Sequence, residues 1–342
     1  MGVLHRSLTT RLAVAAILAA LLPVALCGCG SAAASAGARG NPLAGETFYV
    51  DPNSPAAQQA VQWRSEGRTE SSAILAKLAA RPTARWFGES PHVKAEVQAL
   101  TMRAAAANTS ALLVAYDIPD RDCGGYSSGG AASGKAYRHW IEQFAAGIGD
   151  RTAAVILEPD AIAEALSHCL SAAFRAERYA LLGFAVRTLK AHRHVSVYID
   201  AGNVGWIRPS HRLLGPLRAS GIARADGVSL NVSNFYANQS TIEYGTTLSR
   251  LLGGKHFVID TSRNGNGPDT SPEDEPTWCN PPGRALGAAP TTHTGNPLVD
   301  AYLWIKQPGQ SDGSCRPGEP RAGQWWPQYA LELAGGGRTT EG

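Results

Sequence analysis

Short apolar, β-branched runs alternate along the chain with longer, alanine-rich amphipathic segments. "SALLVAYDI" (110–118) precedes "AYRHWIEQFAAGI" (136–148), "TAAVILEP" (152–159) precedes "RAERYALLGFAVRTLKAH" (175–192), and "VSVYIDAG" (195–202) follows. Further apolar runs lie at "GVSLNVSN", "HFVIDTSR" and "DAYLWIK". A run that is apolar at every position suits a strand covered on both faces, and alternation with helical patterns predicts βα units around a mostly parallel sheet. The expected total is about seven strands. No fixed-period repeat, low-complexity linker or appended module follows residue 41, so 41–342 reads as a single catalytic-size domain.

The polar ends of these runs carry the candidate chemistry. Tyr116 and Asp117, Glu158 and Asp160, Asp200, Asn231 and Asn234, Asp260, and Lys306 all fall at or just past the carboxyl end of an apolar run. In a (β/α) barrel those ends converge on one face, where such enzymes place their active sites. A dinucleotide-binding sheet is the competitor. It needs a glycine-rich fingerprint between the first strand and a helix, and "GGYSSGG" does not open directly into one.

"AVILEPDAI" sharpens the question, because a buried strand ending in two carboxylates is costly unless they are paired or protonated. Desolvation and a neighbouring carboxylate would both keep Asp160 protonated near neutral pH. In "DIPDRDCGG" an extended backbone would point Asp120 and Asp122 to one side and Arg121 to the other, making either acid a candidate neighbour. For each cluster alone, helix capping and surface pairing with arginine is the plain alternative.

Composition narrows the partners. The 342-residue chain is 44% hydrophobic with a formal net charge of only +3, so it lacks the basic field that nucleic acid demands. Three of its eight tryptophans, Trp86, Trp206 and Trp278, sit among glycine, proline, asparagine or charged residues, whereas Trp140 and Trp304 lie in apolar runs and read as core. Flat aromatic faces in polar loops suit stacking on the C–H faces of sugar rings. Together with the carboxylates they point to glycoside hydrolysis.

The N-terminus reads as an export leader: His5, Arg6 and Arg11 precede the apolar run Leu12 to Leu26. Two processing routes compete, lipid attachment at Cys29 after "LCGC" and ordinary cleavage near "ASA" at Ala34 to Ala36, with a flexible tether to about residue 40. The expected location is secreted, or attached to the outer face of the cell membrane. Beyond Cys27 and Cys29, four cysteines remain, which suggests two disulfides with three connectivities open, the simplest pairing neighbours. No CxxC or HxxxH spacing supports a metal, and no cofactor or metal is expected.

The motifs "YDIPDRDCGGYSSGG", "VILEPDAIA", "YIDAGNVGWI", "SLNVSNFY", "VIDTSRNG" and "WCNPPGRALGAAPTTHTGNPLVDAYLWIKQPGQSDGSC" resemble, in order and from about Pro42 to Ala334, those of glycoside hydrolase family 6, the inverting cellulases. The resemblance implies an α/β fold, a distorted, incomplete (β/α) barrel of about seven strands. It implies Asp160 as catalytic acid, Asp122 as the residue that raises the acid's pKa and orders the attacking water, and Asp312 as base, with proton removal through a water chain as the alternative. Arg263 and Lys306 are expected to pack against Asp312 and keep it ionised.

The resemblance further maps Tyr116 to the distorted sugar ring, Ser128 to a loop that holds the water, and Trp86, Trp206 and Trp278 to sugar platforms. Asp200, Asn234 and Lys306 map to polar sugar contacts, and Cys123–Cys169 and Cys279–Cys315 to the family's disulfides. Three positions depart from the pattern: Asn203 stands for a histidine, Gln310 for a glutamate, and Pro209 where exo-acting members carry a tryptophan. The first two keep hydrogen-bonding capacity and lose a titratable group, and both stay in the candidate binding set. The cysteine-closed segments are short for a roofed site, so an open cleft and internal cutting of a β-1,4-glucan by a monomeric enzyme are expected. A glucan-binding lipoprotein with a decayed site, or an exo-acting cellobiohydrolase, is the alternative.

Overall fold

A computed structural model of the chain describes residues 1–2, 40–167, 169–270 and 277–335. The expected leader, its candidate lipidation site Cys29 and the "ASA" site lie outside the described residues. Seven parallel strands, β1 (Arg85–Phe87), β2 (Ala111–Ala115), β3 (Ala153–Leu157), β4 (Val195–Asp200), β5 (Gly227–Leu230), β6 (His256–Asp260) and β7 (Val299–Leu303), lie side by side in chain order. That order never reverses, so the sheet lacks the switch point of a dinucleotide-binding fold. The helices are α1 (Pro55–Ser65), α2 (Thr69–Ala79), α3 (Val93–Ala106), α4 (Gly134–Ile148), α5 (Ala161–Leu166), α6 (Ala172–Leu189), α7 (Leu214–Ala219), α8 (Asn238–Leu251) and α9 (Pro327–Ala334).

Period-two side-chain alternation divides each strand between two cores. Leu112 and Val114, Ala154 and Ile156, Tyr198, Val258, and Ala301 and Leu303 form one cluster on the inner face. Leu113 and Ala115, Val155 and Leu157, Val197 and Ile199, Phe257 and Ile259 join Val97, Ile141, Phe144, Leu182 and Val186 of the covering helices on the other. Trp140 and Trp304 are buried, at 7% and 3% exposure, as their apolar surroundings predict. Two of the covering helices start on side-chain caps: Ser133 Oγ accepts the Ala136 amide of α4 at 3.2 Å, and Ser171 Oγ accepts the Phe174 amide of α6 at 3.3 Å.

The curl stops short of a closed ladder. Between β1 and β7 the joins are one backbone bond, Ala84 N–H to Trp304 O at 2.9 Å, and two side-chain bonds, Trp86 Nε1 to Ile305 O at 2.8 Å and Gln307 Nε2 to Ala84 O at 2.9 Å. The barrel is therefore incomplete, with its gap on the side of Trp86. The sequence reading placed Trp86 in a polar loop; it belongs to β1, a three-residue strand too short to leave a periodic signature. Among the described residues no helix is long and apolar enough to cross a membrane.

Candidate active site

The carboxyl ends of the strands bend sharply. Glu158, Asp160, Asn231 and Ser233 have φ of 50°, 70°, 65° and 55°, and Asp120, Asp122 and Cys123 have 55°, 58° and 46°. Such left-handed backbone in non-glycine residues persists only where the surroundings over-determine it, and it gathers at functional sites. The extended geometry expected for Asp120 and Asp122 is thereby corrected: both lie in a tight turn. Asp120 is exposed, while Asp122 is half-buried with its Oδ2 accepting the Ser127 amide at 2.5 Å.

The two carboxylates of "AVILEPDAI" divide their labour. Glu158 is 1% exposed, and its oxygens accept the amides of Asp117 at 3.1 and 3.0 Å and of Ile118 at 3.0 Å, tying the end of β3 to that of β2. Burial outweighs these donors and pushes its pKa up to about 8. Asp160 follows after Pro159, partly exposed at the start of α5. Burial raises its carboxyl well above the ordinary range, with the charges of Asp200, Glu164 and Asp122 adding to the effect and Lys306 opposing it.

Asp200, at the end of β4, is 1% exposed. Its Oδ1 accepts the amides of Asp160 at 2.9 Å and Gly202 at 3.0 Å, and its Oδ2 accepts the Ser229 hydroxyl at 3.1 Å. The carboxylate neighbour expected at Asp122 is thus joined by a stronger one at Asp200, whose oxygens are committed to protein donors. Asp260 does the same for β5, β6 and β7: it accepts the amides of Ser262, Ser233, Ile305 and Lys306 at 2.9 to 3.2 Å. Three of the strand-end acids are therefore clasps between neighbouring strands, a role that strand-end position alone did not separate from chemistry.

Asp312 occupies the opposite electrostatic state. Arg263 Nη1 contacts its Oδ2 at 2.7 Å and Lys306 Nζ its Oδ1 at 3.2 Å, while Asn280 donates its amide to Oδ2 and receives the Asp312 amide at 2.7 Å. Burial alone would raise the pKa, but the two cations outweigh it and hold the carboxyl below its ordinary range. Arg263 is 0% exposed and also stacks on Phe235, 4.3 Å from the ring centre. The packing expected of Arg263 and Lys306 is present.

Around this pair of acids lie the aromatic rings. Trp86 meets Tyr116 edge-on at 5.0 Å, and the Arg121 guanidinium lies 4.5 Å over the Tyr116 ring. Trp206 and Trp278 are 38% and 46% exposed; Trp206 Nε1 donates to Ser167 Oγ at 2.8 Å. Ser128 is exposed on the loop after the first cysteine. Asn203 is buried with Oδ1 accepting the Gly205 amide at 3.0 Å, Asn234 is half-buried with Oδ1 on the Phe235 amide at 2.9 Å, and Gln310 donates to Gln307 Oε1 at 2.7 Å.

Both neighbour disulfides are formed, Cys123–Cys169 and Cys279–Cys315, with Cα separations of 6.1 and 6.3 Å. They make a metal at the cluster of Cys279, Cys315 and Glu319 untenable, since the sulfurs are bonded to each other. Tyr126 went unread in the sequence. Its ring, 49% exposed, lies 6.2 Å from Trp278, and its side chain fills the space beside Gly313, so the first cysteine-closed loop touches the second. An exposed tyrosine in a glycine-rich loop gives no sequence signal of such a contact.

Comparison with known proteins follows the same geometry. The family model for glycosyl hydrolases family 6 matches residues 43–336. The chain is 43% identical over 293 residues to Endoglucanase A of Thermobispora bispora, covering 84% of this chain and 61% of that one. To Endoglucanase A of Cellulomonas fimi it is 42% identical over 295 residues, covering 84% and 60%. It thus spans about three fifths of the length of both relatives. Among solved structures it is similar to the endoglucanase Cel6 of Mycobacterium tuberculosis, in complex with methyl-cellobiosyl-4-deoxy-4-thio-β-D-cellobioside. That likeness has 47% identity and a TM-score of 0.81 over 86% of this chain and 99% of that one.

Proposed function

The chain belongs to glycosyl hydrolases family 6, and on that premise we propose that it is an endo-β-1,4-glucanase that hydrolyses internal glucosidic bonds with inversion. The observation that carries the reading is the opposed state of two carboxyls, Asp160 just past β3 driven towards its protonated form and Asp312 in the loop after β7 held ionised by Arg263 and Lys306. Pairs of titratable groups pushed apart by their environments mark acid and base assignments. Asp160 gives its proton to the glycosidic oxygen as the bond to the anomeric carbon breaks. A water attacks that carbon from the opposite face, and its proton passes to Asp312, directly or through a second water.

The family resemblance supplies the remaining assignments. Asp122 and Ser128 order the attacking water, Tyr116 crowds the distorted sugar, and Trp86, Trp206 and Trp278 stack on the chain on either side. Lys306, Asn234, Asn203 and Gln310 bound the polar wall, and Asp200 acts on the sugar only through Asp160, given its commitments to protein donors. Residues 41–342 form the catalytic domain, and 1–40 an export leader and tether that places the enzyme outside the cytoplasm, with Cys29 the residue that lipid would take. The names of the relatives support a β-glucan substrate.

The test incubates residues 41–342 with soluble carboxymethylcellulose and follows viscosity and new reducing ends together, with Asp160→Ala as control. A steep viscosity fall with few ends released, absent in the variant, is expected; cellobiose as dominant first product with viscosity barely changed would refute internal cutting. Proton NMR of a cello-oligosaccharide digest should show the α-anomer first, and a β-anomer would refute inversion.

A further inference from the structure

Arg178, on α6, is 3% exposed, carries charge into the core, and plays no part in the chemistry above. Its four terminal N–H groups are all used. Nη1 donates to Glu164 Oε2 at 2.7 Å and to Ala161 O at 3.3 Å; Nη2 donates to Pro119 O at 2.9 Å and Asp120 O at 2.7 Å. Ala161 directly follows Asp160, and Asp120 lies two residues before Asp122. One guanidinium therefore spans the backbone of both segments. These segments carry the left-handed residues Asp120, Asp122, Cys123 and Asp160, a conformation that neither would keep unaided.

We propose that Arg178, anchored by Glu164, is a positioning residue that fixes the Asp122 loop against the Asp160 turn and so sets where the attacking water sits relative to the acid. The proposal rests on the hydrolase reading. A buried guanidinium with every terminal donor spent on two chain segments is a rigid spacer, because its fork is planar and pre-organised. The Cys123–Cys169 bridge joins the same two regions covalently, but beyond the far end of α5, so it limits the loop's travel without fixing its register. Glu164 has a second effect. Its carboxyl is pushed up to about 7 by burial against the pull of Arg178, and as it ionises its charge acts on Asp160 together with those of Asp200 and Asp122, against Lys306.

Arg178→Lys keeps a cation for Glu164 but presents its donors from one point and cannot bridge both carbonyl pairs. It is expected to lower kcat on a defined cello-oligosaccharide by about 10- to 100-fold with KM within about twofold, since displacement of a reacting group by about 1 Å costs that much. In an Asp122→Ala background the same change should cost no more than about twofold further, because the residue it positions is gone. An unchanged kcat in the single variant, or a fully additive loss in the double, overturns the proposal. If Arg178→Lys fails to fold, Glu164→Gln decides: it leaves an oxygen for Arg178 and removes the charge, so the alkaline limb of the kcat profile should move to lower pH, and an unmoved limb overturns the pairing. Amide exchange over 119–130 provides a reading independent of turnover. It should rise in Arg178→Lys while the strands keep their protection; unchanged exchange overturns the positioning role, whereas an inactive wild-type enzyme overturns the hydrolase reading alone.

Discussion

At the scale of single residues, the decisive contrast is between carboxyls that resist ionisation and one that is held ionised. Asp312→Asn leaves Arg263 and Lys306 buried without an anion, and breaking such a pair costs on the order of 3–5 kcal/mol. Its thermal midpoint should fall well below that of the wild type, and kcat should drop with it; an unchanged pH profile would sink the base assignment. Because the folded pKa of Asp312 is depressed, its stabilisation is present above the ordinary carboxylate range and is lost as pH falls below it.

Glu158, Asp117 and Glu164 act with the opposite sign. Burial raises them to about 8, 7 and 7, so the folded state binds protons that the unfolded state releases. Their stabilisation is full below about pH 4 and is lost as pH rises through about 7 to 8. Melting followed from pH 5 to pH 9 should show a declining midpoint. Glu158→Gln, which keeps an acceptor oxygen for Asp117 and Ile118, should flatten that decline, and an equally steep decline in the variant would show that Glu158 is not its source.

At the scale of elements, the two cysteine-closed loops are held by their bridges and by each other. The Cys123–Cys169 bridge closes a separation of 46 residues, for which chain entropy gives about 4 kcal/mol. Cys123→Ser/Cys169→Ser should lower the melting midpoint and shrink the further fall that reductant causes, leaving only the share due to Cys279–Cys315. Tyr126 belongs to the same loop and meets Trp278 and Gly313 at the two ends of the other, so the two loops are bridged at one point. Tyr126→Ala should remove that bridge and increase the viscosity fall per reducing end released from carboxymethylcellulose; a ratio equal to that of the wild type would mean the contact does not limit chain entry. The loops show the limit of sequence reading. Their cysteines announced a pairing through number and spacing, but a contact between glycine-rich loops more than 150 residues apart leaves no periodic trace.

At the scale of the whole molecule, a second buried polar cluster lies away from the candidate active site. Opposite the catalytic rim, Tyr198 of β4 donates to Asp300 Oδ2 at 2.8 Å, and His256 at the start of β6 meets Asp300 Oδ1 at 2.7 Å. Asp300 and Tyr198 are fully buried; Asp300 and His256 lie at the amino-terminal ends of β7 and β6, and Tyr198 reaches them from the middle of β4. Tyr198→Phe removes one donor from a buried carboxylate and should cost about 1–3 kcal/mol in denaturant unfolding with kcat unchanged. A fall in kcat at full folding would show that the two ends are coupled.

The chain order of apolar runs determined most of the fold by itself, because a run buried on both faces is largely apolar and a helix between two such runs makes them parallel neighbours. β2 to β6 were legible on that ground; β7 was legible only as an apolar run, since among the described residues no helix separates it from β6, and β1 was not legible, since three residues carry no period. Glu158 and Asp160 were legible together as candidates because a carboxylate has few reasons to follow five apolar residues, and the family resemblance singled out Asp160. Only the tertiary structure decided what each strand-end acid does. Glu158, Asp200 and Asp260 look no different from Asp160 in the sequence, yet their oxygens are taken by amides 41, 40 and 46 residues away. A carboxyl's pKa depends on the donors and charges within a few ångströms, and a parallel sheet draws those from neighbouring strands that are distant in sequence.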